Sequence, residues 1–327
     1  MIKIKNKLGQ TRIYFKKRKK IIFPKEKFKT KKLYLKKKKP LYYGGLRFRG
    51  FFKDNITDKP LISIIMPNFK CADLEKAIKS ILKQNYENLE LIVIDGNSGK
   101  ETLKILKKYD RDIDIWISEK DDGMWDAWNK GFQLASGEYV GIVDSSNILY
   151  PNATKILIKY AYLYPKKDFI CGTVKKDNKI YAGFRPRDII RQFNIIPSSV
   201  VGFFIKLKSL KKVGLLDTRY KIQADYDLLY KIIIKNNMSG VNTKGNEIFG
   251  DLGNSGFSSR HSFLSKLINE IIIRFRNGQN IFYLIYIILG RSFIKIIICR
   301  NKIYFINFFY QKITYNKKVF FYTCIFY

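Results

Sequence analysis

The sequence predicts an open α/β fold built on a mostly parallel sheet. Three observations carry that reading. Short apolar runs rich in β-branched residues alternate with stretches of helical period. The links between them are short, as right-handed crossovers in a parallel sheet require. Each run also ends in polar or acidic residues, at the edge where such sheets bind ligands.

The elements follow in order. Leu61 to Met66 is a buried strand that stops at Pro67 and Asn68. Ala72 to Lys83 places Leu74, Ala77, Ile78, Ile81 and Leu82 at helical spacing. Leu89 to Ile94 is a second strand, ending at Asp95-Gly96-Asn97-Ser98. A helix is expected over about 101–109, a third strand from Ile113 to Ile117, and a helix from Met124 to Ala135. Glu138 to Val143 is the strand that organises the rest, and Asp144-Ser145-Ser146-Asn147 is its polar tip. A carboxylate there suits a sugar hydroxyl or a metal holding a diphosphate. The first turn, Pro67-Asn68-Phe69-Lys70, has no G-x-G-x-x-G, and no Walker loop occurs, so any phosphates are held another way.

The bulk composition sets bounds. The chain has 327 residues, 46% of them hydrophobic, enough for one large core with additions. The net charge is +36 and uneven: residues 1–60 hold 22 Lys and Arg against 3 Asp and Glu. Residues 1–59 therefore read as a basic arm, with little fixed structure at the start. The aromatic stretch 41–52 is expected to pack onto the body. Such an arm is either a solvated tail or a site for polyanions such as anionic lipid headgroups. The four cysteines are far apart, neither a disulfide framework nor a zinc site. With no signal-peptide core at the N-terminus, a cytoplasmic location is expected.

Four motifs, in order, carry a resemblance. They are Ile64-Ile65-Met66-Pro67-Asn68; Leu91-Ile92-Val93-Ile94-Asp95-Gly96-Asn97-Ser98; Ser118-Glu119-Lys120-Asp121-Asp122-Gly123-Met124-Trp125-Asp126-Ala127-Trp128-Asn129-Lys130-Gly131; and Ala224-Asp225-Tyr226-Asp227. Together with Ser136-Gly137-Glu138 before the Asp144 tip, and Gly253 to Ser259, they resemble a family 2 glycosyltransferase of GT-A fold, of the polysaccharide-building kind. The resemblance covers about residues 60–260. It implies a basic arm over 1–59, a GT-A domain over 60–260 and an extension over 261–327.

It also implies roles. Asp225 is the expected base that takes the proton from the acceptor hydroxyl, with Asp227 as its rival and helix capping as the plain alternative. Pro67, Asn68, Asp95, Asp121, Asp126, Lys130, Asp144 and Ser145 are the expected nucleotide-sugar contacts, Asp95 at the nucleobase. Asp144 and Ser146 are the candidate metal ligands, for Mn²⁺ or Mg²⁺. Here the chain departs from the family, because Ser146 stands where an Asp is usual. Three readings stay open: Asp144, diphosphate and water hold the metal; Lys or Arg replaces it; or catalysis is impaired. Arg185, Arg187, Arg260 and His261 are further phosphate candidates, with solvated surface as the alternative.

The expected activity is inverting transfer from a nucleotide-sugar, UDP-linked, to a glycan or lipid-linked acceptor in surface polysaccharide synthesis. The alternative is an inactive GT-A binding module. Nucleic acid is not an expected partner. Beyond residue 261, Ile268, Ile271, Ile272 and Phe275 recur at helical spacing, and Ile281 to Leu289 is apolar throughout. Cations inside and around these runs argue against a span. They suit a basic amphipathic helix on the inner face of an anionic membrane, or one packed on the body.

Overall fold

The computed structural model describes residues 1–16, 41–183, 198–253 and 261–291. It divides into two units, Met1–Glu270 and Ile271–Tyr327. The first unit opens on a hairpin, β1 (Ile2–Lys5) with β2 (Thr11–Lys16). The expectation of little fixed structure at the start therefore fails for residues 1–16. The physical reason is a tertiary anchor. Ile13 and Tyr14 are buried, and Arg12 is almost wholly buried among them. The Arg12 guanidinium donates to the carbonyls of Leu82 (3.0 Å) and Ile81 (3.4 Å), and the Asn6 amide donates to Leu82 (2.8 Å). These are carbonyls at a helix C-terminus, which have no partner within the helix.

Residues 41–52 join the body, as expected: β3 (Tyr42–Gly44) lies at one sheet edge, and β4 (Phe51–Phe52) pairs with β2. The core alternation follows: β5 (Ile62–Asn68), α1 (Leu74–Leu82), β6 (Leu89–Asp95), α2 (Lys100–Lys108), β7 (Ile115–Ser118), α3 (Met124–Leu134) and β8 (Tyr139–Ile142). Next come β9 (Ile148–Leu149), α4 (Ala153–Leu163), β10 (Phe169–Cys171), β11 (Thr173–Lys176), β12 (Lys179–Tyr181), β13 (Phe203–Lys206), α5 (Leu207–Val213), α6 (Ala224–Tyr230), β14 (Gly240–Asn242) and β15 (Ile248–Asp251).

The central sheet runs β14-β10-β13-β8-β5-β6-β7-β3, and β8, β5, β6 and β7 are parallel. Every residue of β5 and β6 is buried, which is why both read as apolar runs, interrupted only by Ser63 and Glu90 before their polar tips. α3 lies hard against β5: a Cβ on Gly131 would sit 2.2 Å from the Ile65 side chain. β5 has β6 on one side and β8 on the other. The chain order reverses there, and ligand crevices in open sheets form outside the carboxyl ends at such a point.

Two buried ion pairs tie the 41–59 segment to the sheet. Arg47 pairs with Glu90, both side chains almost without exposure, and Glu90 also accepts from Ser63 and Ser136. Burial alone would raise the Glu90 pKa, but the Arg47 charge and the hydroxyls outweigh it and hold the carboxyl below its ordinary value. Lys53 pairs with Asp114 at 2.9 Å, both nearly wholly buried. Arg47→Met removes one partner and leaves Glu90 charged and desolvated. The expected loss of stability is about 3–5 kcal/mol, read from urea unfolding. A loss below 1 kcal/mol would mean that Glu90 is served by its hydroxyls alone.

Helix α7 (Phe263–Arg276) runs across the division between the units, and a further helix covers 281–291. Along α7, Leu264, Ile268, Ile272 and Phe275 are exposed at helical spacing. Among the described residues, no helix is long and apolar enough to cross a membrane.

Candidate active site

The site is built along the carboxyl ends of β5, β6, β7 and β8. Parallel pairing sets Asn68, Asp95 and Ser118 in one row across three strands. Asp95 is fully buried in that row. Its carboxylate accepts from Asn68 Nδ2 (2.7 Å), Ser118 Oγ (2.6 Å), Ser98 Oγ (2.5 Å) and Ser98 N (3.0 Å). Four donors fill the strong acceptor directions of one carboxylate. A nucleobase contact at Asp95 would share the carboxylate with these donors. Asp95 locks three strand ends and the turn at Ser98.

Asp121 is half-buried at the same rim. Its Oδ1 accepts from Gly123 N at 3.1 Å, and among the described residues no donor meets Oδ2. A Cβ on Gly96 would lie 2.9 Å from that Oδ2 and 3.0 Å from the Phe69 ring. Glycine at 96 thus lets an acid and an aromatic ring converge at the rim. Phe69 is 65% exposed, unusual for a large apolar side chain with a neighbouring acid. Burial raises the Asp121 pKa, with the Asp126 and Asp95 charges adding to it. Sequence reasoning missed Phe69 and Gly96. The lone aromatic after the strand and the glycine after Asp95 were the available signals.

Lys130 is 1% exposed and pairs with Glu119 (2.7 Å) and Asp126 (3.0 Å). Burial works against its charge, but the two carboxylates outweigh burial and raise its pKa. Asp126 also accepts from Asp122 N at 3.3 Å. Asp126 and Lys130 thus form an internal triad with Glu119, on the loop that carries Asp121.

At the β8 exit, Val143 N bonds Ile65 O, and Ser145 N bonds Pro67 O at 3.3 Å. Pro67 and Ser145 are thus part of the frame, both buried. Asn147 N reaches Asp144 O at 2.9 Å, closing a tight turn. Asn147 Oδ1 accepts from Gly253 N at 2.8 Å, so this side chain pins the closing segment. Asp144 and Ser146 are left facing the crevice, each partly accessible. Yet Asp144 Oδ1 is closed off from solvent and has no partner. Burial, and then the charge of Asp225, push the Asp144 pKa up to about 7.

Asp225 lies in the first turn of α6 and is close enough to Asp144 for its charge to be felt there. Its Oδ2 accepts from Ser199 Oγ at 2.8 Å, and its Oδ1 from Tyr226 N at 3.0 Å. Burial raises its pKa, and these two donors restrain the rise. The rival, Asp227, is 1% exposed and paired with Lys231 at 2.6 Å. Behind Asp225 lies a small apolar pocket lined by Trp128, Phe132, Phe203, Leu228 and Ser199. Ser199 thus holds Asp225 from the segment before β13.

Two carboxylates have raised pKa values, one of them orphaned among the described residues, and the charge of Asp225 is felt at Asp144. A cation between Asp144 and a polyanionic ligand would relieve both defects. Asp144 with the Ser146 hydroxyl is a partial hard-oxygen donor set, of the kind a divalent ion completes with phosphate and water. Among the described residues no group of three His, Cys, Asp or Glu could hold a metal without such help. Arg185, Arg187 and Arg260 lie outside the described residues, as does the motif beyond Gly253; His261 is half-buried.

Comparisons with known proteins accord with this frame. Residues 63–222 match the family model described as Glycosyl transferase family 2. An uncharacterized glycosyltransferase of Rickettsia typhi is 30% identical over 191 residues, covering 54% of this chain and 60% of that protein. The chain thus spans less than two thirds of that relative's length. The UDP-Glc:alpha-D-GlcNAc-diphosphoundecaprenol beta-1,3-glucosyltransferase WfgD of Escherichia coli is 28% identical over 189 residues, 57% of this chain and 74% of that one. Among solved structures, the mannosyltransferase PcManGT from Pyrobaculum calidifontis, in complex with GDP-Man and Mn2+, aligns with a TM-score of 0.51 at 17% identity, over 74% of this chain and 71% of that one. S. aureus TarS 1-349, in complex with UDP-GlcNAc, aligns with a TM-score of 0.51 at 16% identity, over 65% and 66%. At these identities the likeness is one of fold, the GT-A type.

Proposed function

With residues 63–222 forming a family 2 glycosyltransferase domain, we propose that the chain moves a sugar from a nucleotide-sugar to a hydroxyl of a glycan or lipid-linked acceptor, with inversion at the anomeric carbon. One observation supports this above the others: Asp144, at the β8 exit, feels the charge of Asp225 and has a buried oxygen that none of the described residues satisfies.

Each residue has a task in this reading. Asp121 and Phe69 bracket the nucleobase, the carboxylate accepting a base N–H and the ring lying on its face. Asp95, Asp126 and Lys130 act indirectly, by fixing those groups. Asp144 and Ser146 would hold a divalent cation. Such an ion neutralises charge on the leaving diphosphate. Asp225, its pKa raised by burial, takes the acceptor proton as the hydroxyl attacks. The proton moves to Asp225, the C1–O bond to phosphate breaks, and the nucleoside diphosphate leaves. One base suffices for one displacement, and attack from the face opposite the leaving group inverts C1.

UDP-linked donors are the first choice, since WfgD is named for UDP-Glc and TarS was solved with UDP-GlcNAc. A lipid-linked acceptor follows the same relative, whose name includes diphosphoundecaprenol. The exposed stripe Leu264, Ile268, Ile272 and Phe275, on a chain of net charge +36, supports docking at the inner face of an anionic membrane. Serine at 146 favours one rival, a domain that binds nucleotide-sugar without turning it over.

The test is a panel of UDP-, GDP- and dTDP-sugars with lipid-diphosphate sugar acceptors. Transfer from one donor is expected, falling at least about tenfold on chelation with EDTA and returning with Mn²⁺. Donor binding without transfer or hydrolysis would favour the rival, and no binding to any donor would refute both.

A further inference from the structure

Buried polar atoms without partners are few in native proteins, and each invites an explanation. Among the described residues these include Asn68 Oδ1, Asp144 Oδ1, Trp128 Nε1, and both amide atoms of Gln223. Asn68 and Asp144 belong to the donor side already described. Gln223 has no task in that reading.

Gln223 is costly in two independent ways. Its backbone is left-handed, with φ 67° and ψ 23°, a region where a side chain other than glycine is strained. Its side chain is 5% exposed, and neither Oε1 nor Nε2 meets a partner. Glycine at 223 would remove both costs and keep the turn. The position is not remote. Gln223 is two residues before Asp225, and its carbonyl accepts from Asp227 N at 3.2 Å in the first turn of α6. Just upstream, Lys221 O accepts from Trp125 Nε1 at 3.3 Å, which ties the segment to α3. One turn along α3, Trp128 lines the pocket shared with Asp225 and Ser199, and its indole N–H is also unpartnered. Strain and unmet hydrogen bonds at one residue beside a catalytic candidate mark a ligand contact rather than a structural one.

We propose that Gln223 is a specificity-determining residue that hydrogen-bonds a hydroxyl of a sugar bound against Asp225. The inference rests on the transferase reading and deepens it. A hydroxyl donates and accepts, and a carboxamide offers one group of each kind. A site built to pair with a hydroxyl rejects an analogue that lacks it, because the amide is then left buried and unpaired again. The sugar is either the one transferred or the one that receives it.

The experiment compares the full-length chain with Gln223→Gly and Gln223→Asn. Melting temperature, affinity for the bare nucleoside diphosphate, and KM for donor and for acceptor are measured with the best pair from the donor panel. Gln223→Gly is expected to melt at or above the wild-type temperature and to bind the bare diphosphate unchanged. Its kcat/KM should fall at least about tenfold. Gln223→Asn tolerates the left-handed turn and keeps an amide, so it should recover part of that loss. A rise confined to the donor KM assigns the hydroxyl to the transferred sugar, and a rise confined to the acceptor KM assigns it to the receiving one. Wild-type kinetics in a folded Gln223→Gly protein would overturn the proposal. So would a fall in melting temperature that parallels the fall in activity, since the role would then be structural. A wild-type chain that neither binds nor transfers from any donor refutes the transferase reading itself, a failure visible before any variant is compared.

Discussion

Asp225→Asn is expected to lower kcat by about 10²- to 10⁴-fold, the usual worth of a positioned general base. The amide is isosteric: its oxygen can accept from Tyr226 N, and its NH2 can donate to the Ser199 hydroxyl, which turns to accept. Nucleotide-sugar affinity should therefore stay within about threefold of wild type, and the melting temperature should not fall. Loss of kcat without loss of affinity is the mark of an interaction made only in the transition state. The same substitution at Asp227 gives a useful contrast. Asp227 is paired with Lys231 inside the protein, so Asp227→Asn should act on stability first. If Asp227→Asn abolished turnover in a protein that still melted normally, the assignment of the base would be reversed.

The second large effect is expected at Asp144. Asp144→Asn removes the carboxylate that would hold a cation at the diphosphate, and kcat/KM should fall about 10²- to 10³-fold. The remaining activity should no longer respond to Mn²⁺. Stability should move the other way. In the free protein Asp144 is desolvated, unpartnered at Oδ1 and repelled by Asp225. Deleting that charge should leave the melting temperature equal to or above that of the wild type. A group that costs stability and carries activity is what functional sites require. A lower melting temperature with Mn²⁺ stimulation intact would show that Asp144 serves the fold instead.

The central strands were legible because parallel strands covered on both faces read as apolar runs. Leu89 to Ile94 was found nearly to the residue, and β6 spans Leu89–Asp95. The third strand was expected from Ile113 but starts at Ile115, because Asp114 is turned inward to Lys53 and to Leu91 N. The start of the chain was misread because lysines and arginines look solvated when their partners are distant. Arg12 reaches carbonyls some 70 positions on, and Arg47 reaches Glu90. The alternation Ile2-Lys3-Ile4-Lys5 was the available strand signal.

The candidate site was legible in outline, and its hydrogen bonds were not, for one reason. A motif gives the position of an acid but not how many donors surround it. Asp95 and Asp121 look alike in sequence, yet one is saturated by four bonds and the other keeps an oxygen free. The pairing of Lys130 with Glu119 was not legible, because Glu119 lies eleven positions away and its approach depends on the loop. Gln223 gave no signal at all, since its oddity lies in a backbone angle and in bonds that are missing.

The most direct test is a crystal structure with UDP and Mn²⁺, in which anomalous scattering locates the ion. The ion is expected within bonding distance of Asp144 and the diphosphate, with Asp225 across the crevice and not bound to it. Manganese found elsewhere, or a nucleotide that leaves Asp144 and Asp225 on different sides of the protein from its diphosphate, would contradict the account.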